Sequence, residues 1–265
     1  SEGGVNGNGQ NLVSWNWKAN GAGSSNTDGS ITSTVSANTT AGFSIVKWYG
    51  TGANATIGHG LGVAPSVVIT KNLDASANWI YGGDNIGWTK YLIPNLTNTV
   101  ATANNAWNDT APNSTVVSLG SSTVTNASAN MIAYCFAEKT GYSKFGVYTG
   151  NGSSDGTFIY TGFKPVWFMI KNTGAAENWN IGDNKRNITY PAGANVNNAE
   201  LSMNTSNAEG DRSTRGGGIT QYDMLSNGIK LRGSNPETGA GSGSYIYMAF
   251  GQTLVGSNNV PCTAR

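Results

Sequence analysis

The apolar residues of this chain fall into short runs bounded by glycine, asparagine or proline. SVVITK (66–71) and VWFMIK (166–171) are β-branched and aromatic, and FSIVKWY (43–49) and KFGVYT (144–149) alternate or nearly so. Such runs predict strands. The second pair ends in the turns Gly50-Thr51-Gly52 and Gly150-Asn151-Gly152, where glycine supplies the positive φ of a tight β-turn. Asp28-Gly29 and Asp155-Gly156 mark further turns. Amphipathic helical periods are nearly absent. NMIAYCFA (130–137) and SYIYMAFG (244–251) share one layout, and NLVSWNWK (11–18) repeats it, so that Leu12, Met131 and Tyr245 correspond, as do Trp17, Phe136 and Phe250.

Segments 50–82 and 150–182 are copies of one another. At a constant offset of 100, ten positions are identical: Gly50/Gly150, Gly52/Gly152, Gly62/Gly162, Pro65/Pro165, Lys71/Lys171, Asn72/Asn172, Ala75/Ala175, Asn78/Asn178, Trp79/Trp179 and Gly82/Gly182. Unrelated segments of this length share roughly two or three positions, so the chain is a tandem repeat. The pattern predicts an all-β protein of two tandem antiparallel β-sandwich modules, jelly-roll-like, spanning 43–138 and 139–265. An N-terminal strand and a polar arm or linker, 1–42, precede them. Within the arm, SITSTVSA alternates well enough for an edge strand. The lone strand at 11–18 needs a partner, in its own chain, in a neighbouring subunit or in a preceding module. Leu12, Trp15 and Trp17 are its candidate interface residues.

Composition narrows the classes of function. Of 265 residues only 11% are charged, against roughly 25% in an average globular chain. The net charge is +1 and no basic stripe exists, which predicts no nucleic-acid partner. No apolar run reaches the length of a membrane helix, so no membrane insertion is expected. SEGGVNGNGQ has no basic or apolar region of a signal peptide and reads as a mature end or the cut edge of a longer chain. Eight Trp, eleven Tyr and seven Phe supply a core and argue against disorder. Cys135 and Cys262 form no disulfide framework and read as free thiols.

Candidate chemistry is sparse. His59, the single histidine, sits between glycines, and the second copy has Ile159 at the matching position, so it reads as a turn residue rather than a base. One histidine and no cysteine cluster argue against zinc, and no cofactor is expected. Asp74, Asp84, Asp155 and Asp183 read as caps of loops, with calcium as the alternative. The six glutamates stand in no repeated context, so the paired acids of a glycosidase are not visible and the chain is read as a non-enzyme. Trp88, Tyr91 and Trp107 in the first module, and Tyr190 and Tyr222 in the second, are unrepeated aromatics in polar surroundings. They suit stacking on sugar rings of a surface glycan, or capping of cores and interfaces. Arg212 and Arg215, in the densest charged stretch, are candidate interface anchors.

The strings NTDGSITSTVSANTTAGFSIVKWYGTG, IGHGLGVAPSVVITKN, MIAYCFAEKTGYSKFGVYTGNG, YTGFKPVWFMIKN, SNGIKLRGS and the tail NVPCTAR together resemble repeat-containing, tail-fibre-like virion structural proteins of marine tailed bacteriophages, including cyanophages. The resemblance covers nearly all of 11–265. It implies a place on an extracellular phage particle assembled in the host cytoplasm, with other virion proteins and copies of the chain itself, as a homotrimer, for partners. It carries no catalytic or ligand-binding residue. The first expectation is a receptor-binding component contacting host surface polysaccharide. A capsid decoration or head-fibre protein held by its N-terminal arm is the alternative, and a polysaccharide depolymerase the third class.

Overall fold

The computed structural model describes residues 7–9, 11–186, 196–211 and 222–251. Among them, strands run β1 (Ser24–Asn26), β2 (Ser33–Asn38), β3 (Phe43–Tyr49), β4 (Ala55–Gly58), β5 (Val67–Asn72), β6 (Ile80–Gly83), β7 (Lys90–Tyr91), β8 (Ala101–Thr102), β9 (Val116–Leu119) and β10 (Asn130–Phe136). Then follow β11 (Ser143–Thr149), β12 (Phe158–Tyr160), β13 (Pro165–Asn172), β14 (Asn180–Asp183), β15 (Val196–Asn197), β16 (Ala199–Ser202), β17 (Gly210–Asp211), β18 (Tyr222–Leu225), β19 (Gly228–Leu231) and β20 (Ser244–Gly251). Only two one-turn helices interrupt them, α1 (Asn104–Trp107) and α2 (Thr123–Asn126). The protein is all-β, and its strand ladders are antiparallel.

Two large sheets have the orders β1-β2-β3-β10-β5-β6 and β11-β20-β13-β14-β16-β17. Their central strands pair in one register. Phe43 and Val67 lie opposite Phe136, as Ser143 and Trp167 lie opposite Phe250. Val67 faces Gly83 as Trp167 faces Asp183. The small pairs β4-β9 and β7-β8 accompany the first sheet, and β12-β19-β18-β15 accompanies the second.

Alternation along each strand explains the layers. Met131, Ala133 and Cys135 of β10 enter a cluster with Ile57, Val117 and Leu119 of β4 and β9. Tyr245, Tyr247 and Ala249 of β20 enter the equivalent cluster with Ile159, Met224 and Ile229. The other faces, with Val67, Ile69 and Phe136 on one sheet and Trp167, Met169, Met248 and Phe250 on the other, meet in a shared central cluster. The central strands β5, β13 and β20 are therefore buried on both sides. That is why β5 and β13 read as nearly unbroken apolar runs rather than the apolar-polar alternation of a sheet with one wet face.

The N-terminal region departs from expectation. Residues 11–20 carry no strand. Trp15, Trp17 and Ala19 pack on the central cluster, while the backbone is held by side chains of β2: Asn38 Nδ2 donates to Lys18 O (3.0 Å) and Asn20 N–H to Ser36 Oγ (3.0 Å). Alternating aromatic side chains, not a hydrogen-bonded ladder, gave the segment its strand-like pattern. The stretch read as a linker supplies β1 and β2, and β2 pairs with β3 from Thr34 to Asn38. It sits second from the edge of the sheet, not at the edge.

Candidate functional site: the aromatic seam between the two large sheets

The repeated residues build one loop twice. Lys71 Nζ donates to Ala75 O (3.2 Å) and Ala77 O (2.6 Å), and Lys171 Nζ to Ala175 O (3.2 Å) and Glu177 O (2.9 Å). Asn72 Oδ1 accepts from Asp74 N–H as Asn172 Oδ1 accepts from Gly174 N–H, each at 2.9 Å. A further pair then emerges. Asn95 Oδ1 accepts from Trp79 N–H and its Nδ2 donates to Asn78; Asn204 does the same for Trp179 and Asn178. An insertion between the copies shifts Asn204 away from the offset of 100, which is why sequence comparison misses the pair.

These loops bring Trp79 and Trp179 into the seam. Trp179 is fully buried and tilts against Tyr81 at 5.7 Å between centroids. Its Nε1 donates to Ile93 O and Leu96 O (both 3.1 Å). Lys171 reaches the same stretch of the first copy through Thr97 O (3.0 Å), and Val100 N–H donates to Thr173 O (3.0 Å). Burial pushes the Lys171 ammonium down to about 8, against the partial support of Glu177 and Glu237.

Beside this contact the two sheets part into a cleft of about 690 Å³. Phe43, Ile69 and Phe136 line one wall, and Trp167, Met169 and Met248 the other. Trp15, Asn16 and Trp17 stand at the cleft, with Asn95 and with Ser202 and Met203. Its volume and apolar lining match those of ligand-binding clefts generally. Trp17 sits edge-on to Trp167 (5.1 Å), Phe250 (5.3 Å) and Phe136 (6.3 Å). Such edge-to-face contacts each contribute about 0.5–1.5 kcal/mol beyond area burial. Trp15 is pinned by an Nε1 hydrogen bond to Asp183 Oδ2 (3.0 Å), and Arg186 lies over its ring at 5.4 Å. Arg186 Nε bonds the same carboxylate oxygen (2.7 Å) and its Nη1 bonds Glu209 (2.6 Å). Burial works against the Asp183 carboxylate. The hydrogen bonds from Arg186, the Lys185 N–H and Trp15, together with the guanidinium charge, outweigh burial and lower its pKa.

The other predicted site residues are dispersed. Trp88 is buried, with Nε1 bonded to Asp84 (2.7 Å), and stands perpendicular to the fully buried Trp107 at 5.5 Å. Tyr222 is fully buried against Phe168. These three rings have no free face for a sugar, which corrects their reading as glycan contacts: they fill the cores of the two copies. Tyr91 is half-buried against the first core. Leu12 is exposed, whereas Trp15 and Trp17 make their contacts within their own chain. Tyr190, Arg212, Arg215 and Cys262 lie outside the described residues.

His59 is buried and staples a turn. Its Nδ1 accepts from Leu61 N–H (3.2 Å) and its Nε2 lies 3.1 Å from Asn113 O. This is the neutral tautomer, and burial lowers its pKa, with the Asn113 bond opposing. Cys135 is a buried free thiol pushed up to about 12 by burial. Asp74 bonds Asn130 N–H (2.7 Å), Asp84 accepts from Trp88 Nε1 and Asp155 pairs with Lys230 (2.8 Å), so of the four only Asp183, accepting from the N–H groups of Lys185 and Arg186, caps its own loop as all four were expected to do. Among the described residues no group of three His, Cys, Asp or Glu side chains converges to hold a metal ion, and no helix is long and apolar enough to cross a membrane.

Fold and seam together define an internally duplicated all-β protein. The chain belongs to the family described as a domain of unknown function, DUF7483, whose model matches residues 1–253. Comparison with curated proteins and with solved structures gives no match.

Proposed function

We propose that the chain is a structural component of a tailed-phage particle, of the tail-fibre or receptor-binding type, built from two β-sandwich modules stacked through their large sheets. The observation that carries this reading is the seam. Two copies of one unit are locked face to face by Trp179, Lys171 and the 93–100 stretch, which makes a rigid scaffold. Beside the lock, the cleft presents indole and thioether side chains of the kind that anchor protein interfaces. The resemblance to phage virion proteins supplies the setting, with neighbouring virion proteins and further copies of this chain as partners. Host surface polysaccharide is the target, and avidity comes from copy number. Capsid decoration through a free N-terminal arm is the weaker reading, because residues 15–38 make their contacts within the chain.

Labelling of purified phage particles with an antibody against the chain, read by electron microscopy, tests this. Label on the fibres supports the reading. Label on the capsid replaces it with the decoration reading, and absence from the particle refutes both. Sedimentation of the full chain tests the homotrimer, against a protomer of 27.5 kDa.

A further inference from the structure

The two copies differ most informatively where the N-terminal arm lies. In the first, Ile57 of β4 sits opposite Val117 and both are fully buried; in the second, Ile159 of β12 sits opposite Ile229, again buried. This register pairs Ile159 with Ile57, not with His59 as the constant offset of 100 had it, and makes Thr56 and Gly58 the counterparts of Phe158 and Tyr160. The arm covers Thr56 and Gly58. Ser30 N–H donates to Thr56 Oγ1 (2.8 Å), Ile31 N–H to Thr56 O (3.0 Å) and Ser33 Oγ to Gly58 O (3.1 Å). A Cβ on Gly58 would lie 1.6 Å from Asn26 Oδ1. No described strand covers β12, which is the edge of its sheet. There Phe158 is 40% and Tyr160 61% exposed.

The two rings point out from the same face, since Ile159 between them is buried. Cross-strand partners share a face, so Lys230, opposite Phe158, and Asp223, opposite Lys230, stand beside the rings. Phe158 leans over Gly228, the partner of Tyr160. The charges in this row compensate one another: Lys230 pairs with Asp155 (2.8 Å), and Arg232 Nε bonds Asp223 Oδ2 (2.7 Å).

We propose that this outer face of the β12-β19-β18 sheet is a saccharide platform. A neutral sugar ring stacks on Tyr160 and Phe158 while its hydroxyls bond to the Lys230–Asp155 and Arg232–Asp223 pairs. Three observations choose this occupant. Internally neutralised pairs offer hydrogen-bond donors and acceptors without net charge, which suits a neutral polyhydroxyl ligand. The exposed parts of two rings amount to roughly 200 Å², well short of the ~800 Å² per partner of a stable protein interface. A second copy's arm does not fit, because Tyr160 fills the space that Asn26 takes over Gly58. The inference rests on the host-glycan part of the reading above and gives that contact its residues.

The test uses the full chain on an array of neutral oligosaccharides that includes maltohexaose, cellohexaose and N-acetylchitohexaose. Wild type is compared with F158A, Y160A, the double variant and Y49A, which removes an exposed ring of the first copy. Wild type binds at least one saccharide, each single change on β12 weakens binding roughly tenfold, and Y49A leaves it unchanged. Circular dichroism checks that the variants stay folded. No binding by wild type, or binding that survives the double variant, overturns the proposal. A double variant that alters sedimenting mass while wild type binds no saccharide reassigns the face to a protein contact, and the proposal falls. Particle labelling is independent: saccharide binding by a chain absent from particles keeps this site and removes the virion reading.

Discussion

Lys71 and Lys171 occupy the same position in the two copies, and the structure gives them unequal weight. Both ammonium groups tie two carbonyls of their own loop, but Lys171 also binds Thr97 O and has no solvent exposure. Replacing Lys71 by methionine lets water take over part of its bonds, at a cost of about 1 kcal/mol. Replacing Lys171 orphans three carbonyls at about 2 kcal/mol each. Set against this is the relief of no longer burying a charge. Burial moves the group from 10.5 to about 8, which at 1.36 kcal/mol per unit is about 3 kcal/mol. The net loss for K171M is about 3 kcal/mol, several times that of K71M. Urea unfolding at pH 7 measures both. Equal losses, or an undamaged K171M, would refute the view that this side chain joins the two copies. A second limb follows from linkage. Below pH 8 folded and unfolded chains both hold the proton, and the burial cost is constant. Between pH 8 and the ordinary lysine value the unfolded chain holds more protons on this side chain, so the contribution of Lys171 to wild-type stability rises with pH. K171M lacks that rise. The comparison is the difference between wild type and K171M from pH 8 to 9.5, because buried Cys135 and, higher, Tyr81, whose pKa values burial raises, lower the stability of both proteins alike as pH rises.

W17A removes three ring contacts from the seam and lowers stability by about 2–4 kcal/mol, read as a fall in the urea midpoint; a change under 0.5 kcal/mol would mean that the segment is not docked in solution. The depressed pKa of Asp183 contributes stability that is complete above the ordinary carboxylate range and lost as pH falls through its folded-state value. D183N should flatten that acid limb in unfolding curves from pH 2 to 5, and an unchanged limb would place the effect elsewhere. G58A drives a methyl group into Asn26 and should speed amide exchange across 24–38 while leaving β20 protected. Exchange across 24–38 in G58A no faster than in wild type would count against the arm contact.

Much of the fold was legible because the physics that made it is local. The positive-φ glycines Gly52 and Gly152 and the β-branched and aromatic runs of β5 and β13 declare themselves in short windows. The duplication predicted equivalent pairing, and the register agrees from Phe43–Phe136 to Ser143–Phe250. What was not legible depends on what faces what. The run VWFMIK is apolar on both sides, and nothing in it says that one side meets a second sheet. Trp88 and Trp107 stand among polar residues, so they resemble exposed loop rings. One turn of helix at Asn104–Trp107 turns the second of them fully inward. Phe158 and Tyr160 are exposed instead, and their period-two spacing around Ile159 was the available signal. The Asn95–Asn204 equivalence was hidden by the insertion and appears only through identical hydrogen bonds.

Phe136 and Phe250 are counterparts in the two copies, and across the seam they touch, at 5.8 Å between centroids. A residue that meets its own equivalent is what an isologous pairing of separate subunits places at its centre. Here the pairing is carried on one polypeptide, so each half finds the other at a concentration set by tether length instead of by expression level. Dilution, which dissociates a homodimer, leaves this union intact.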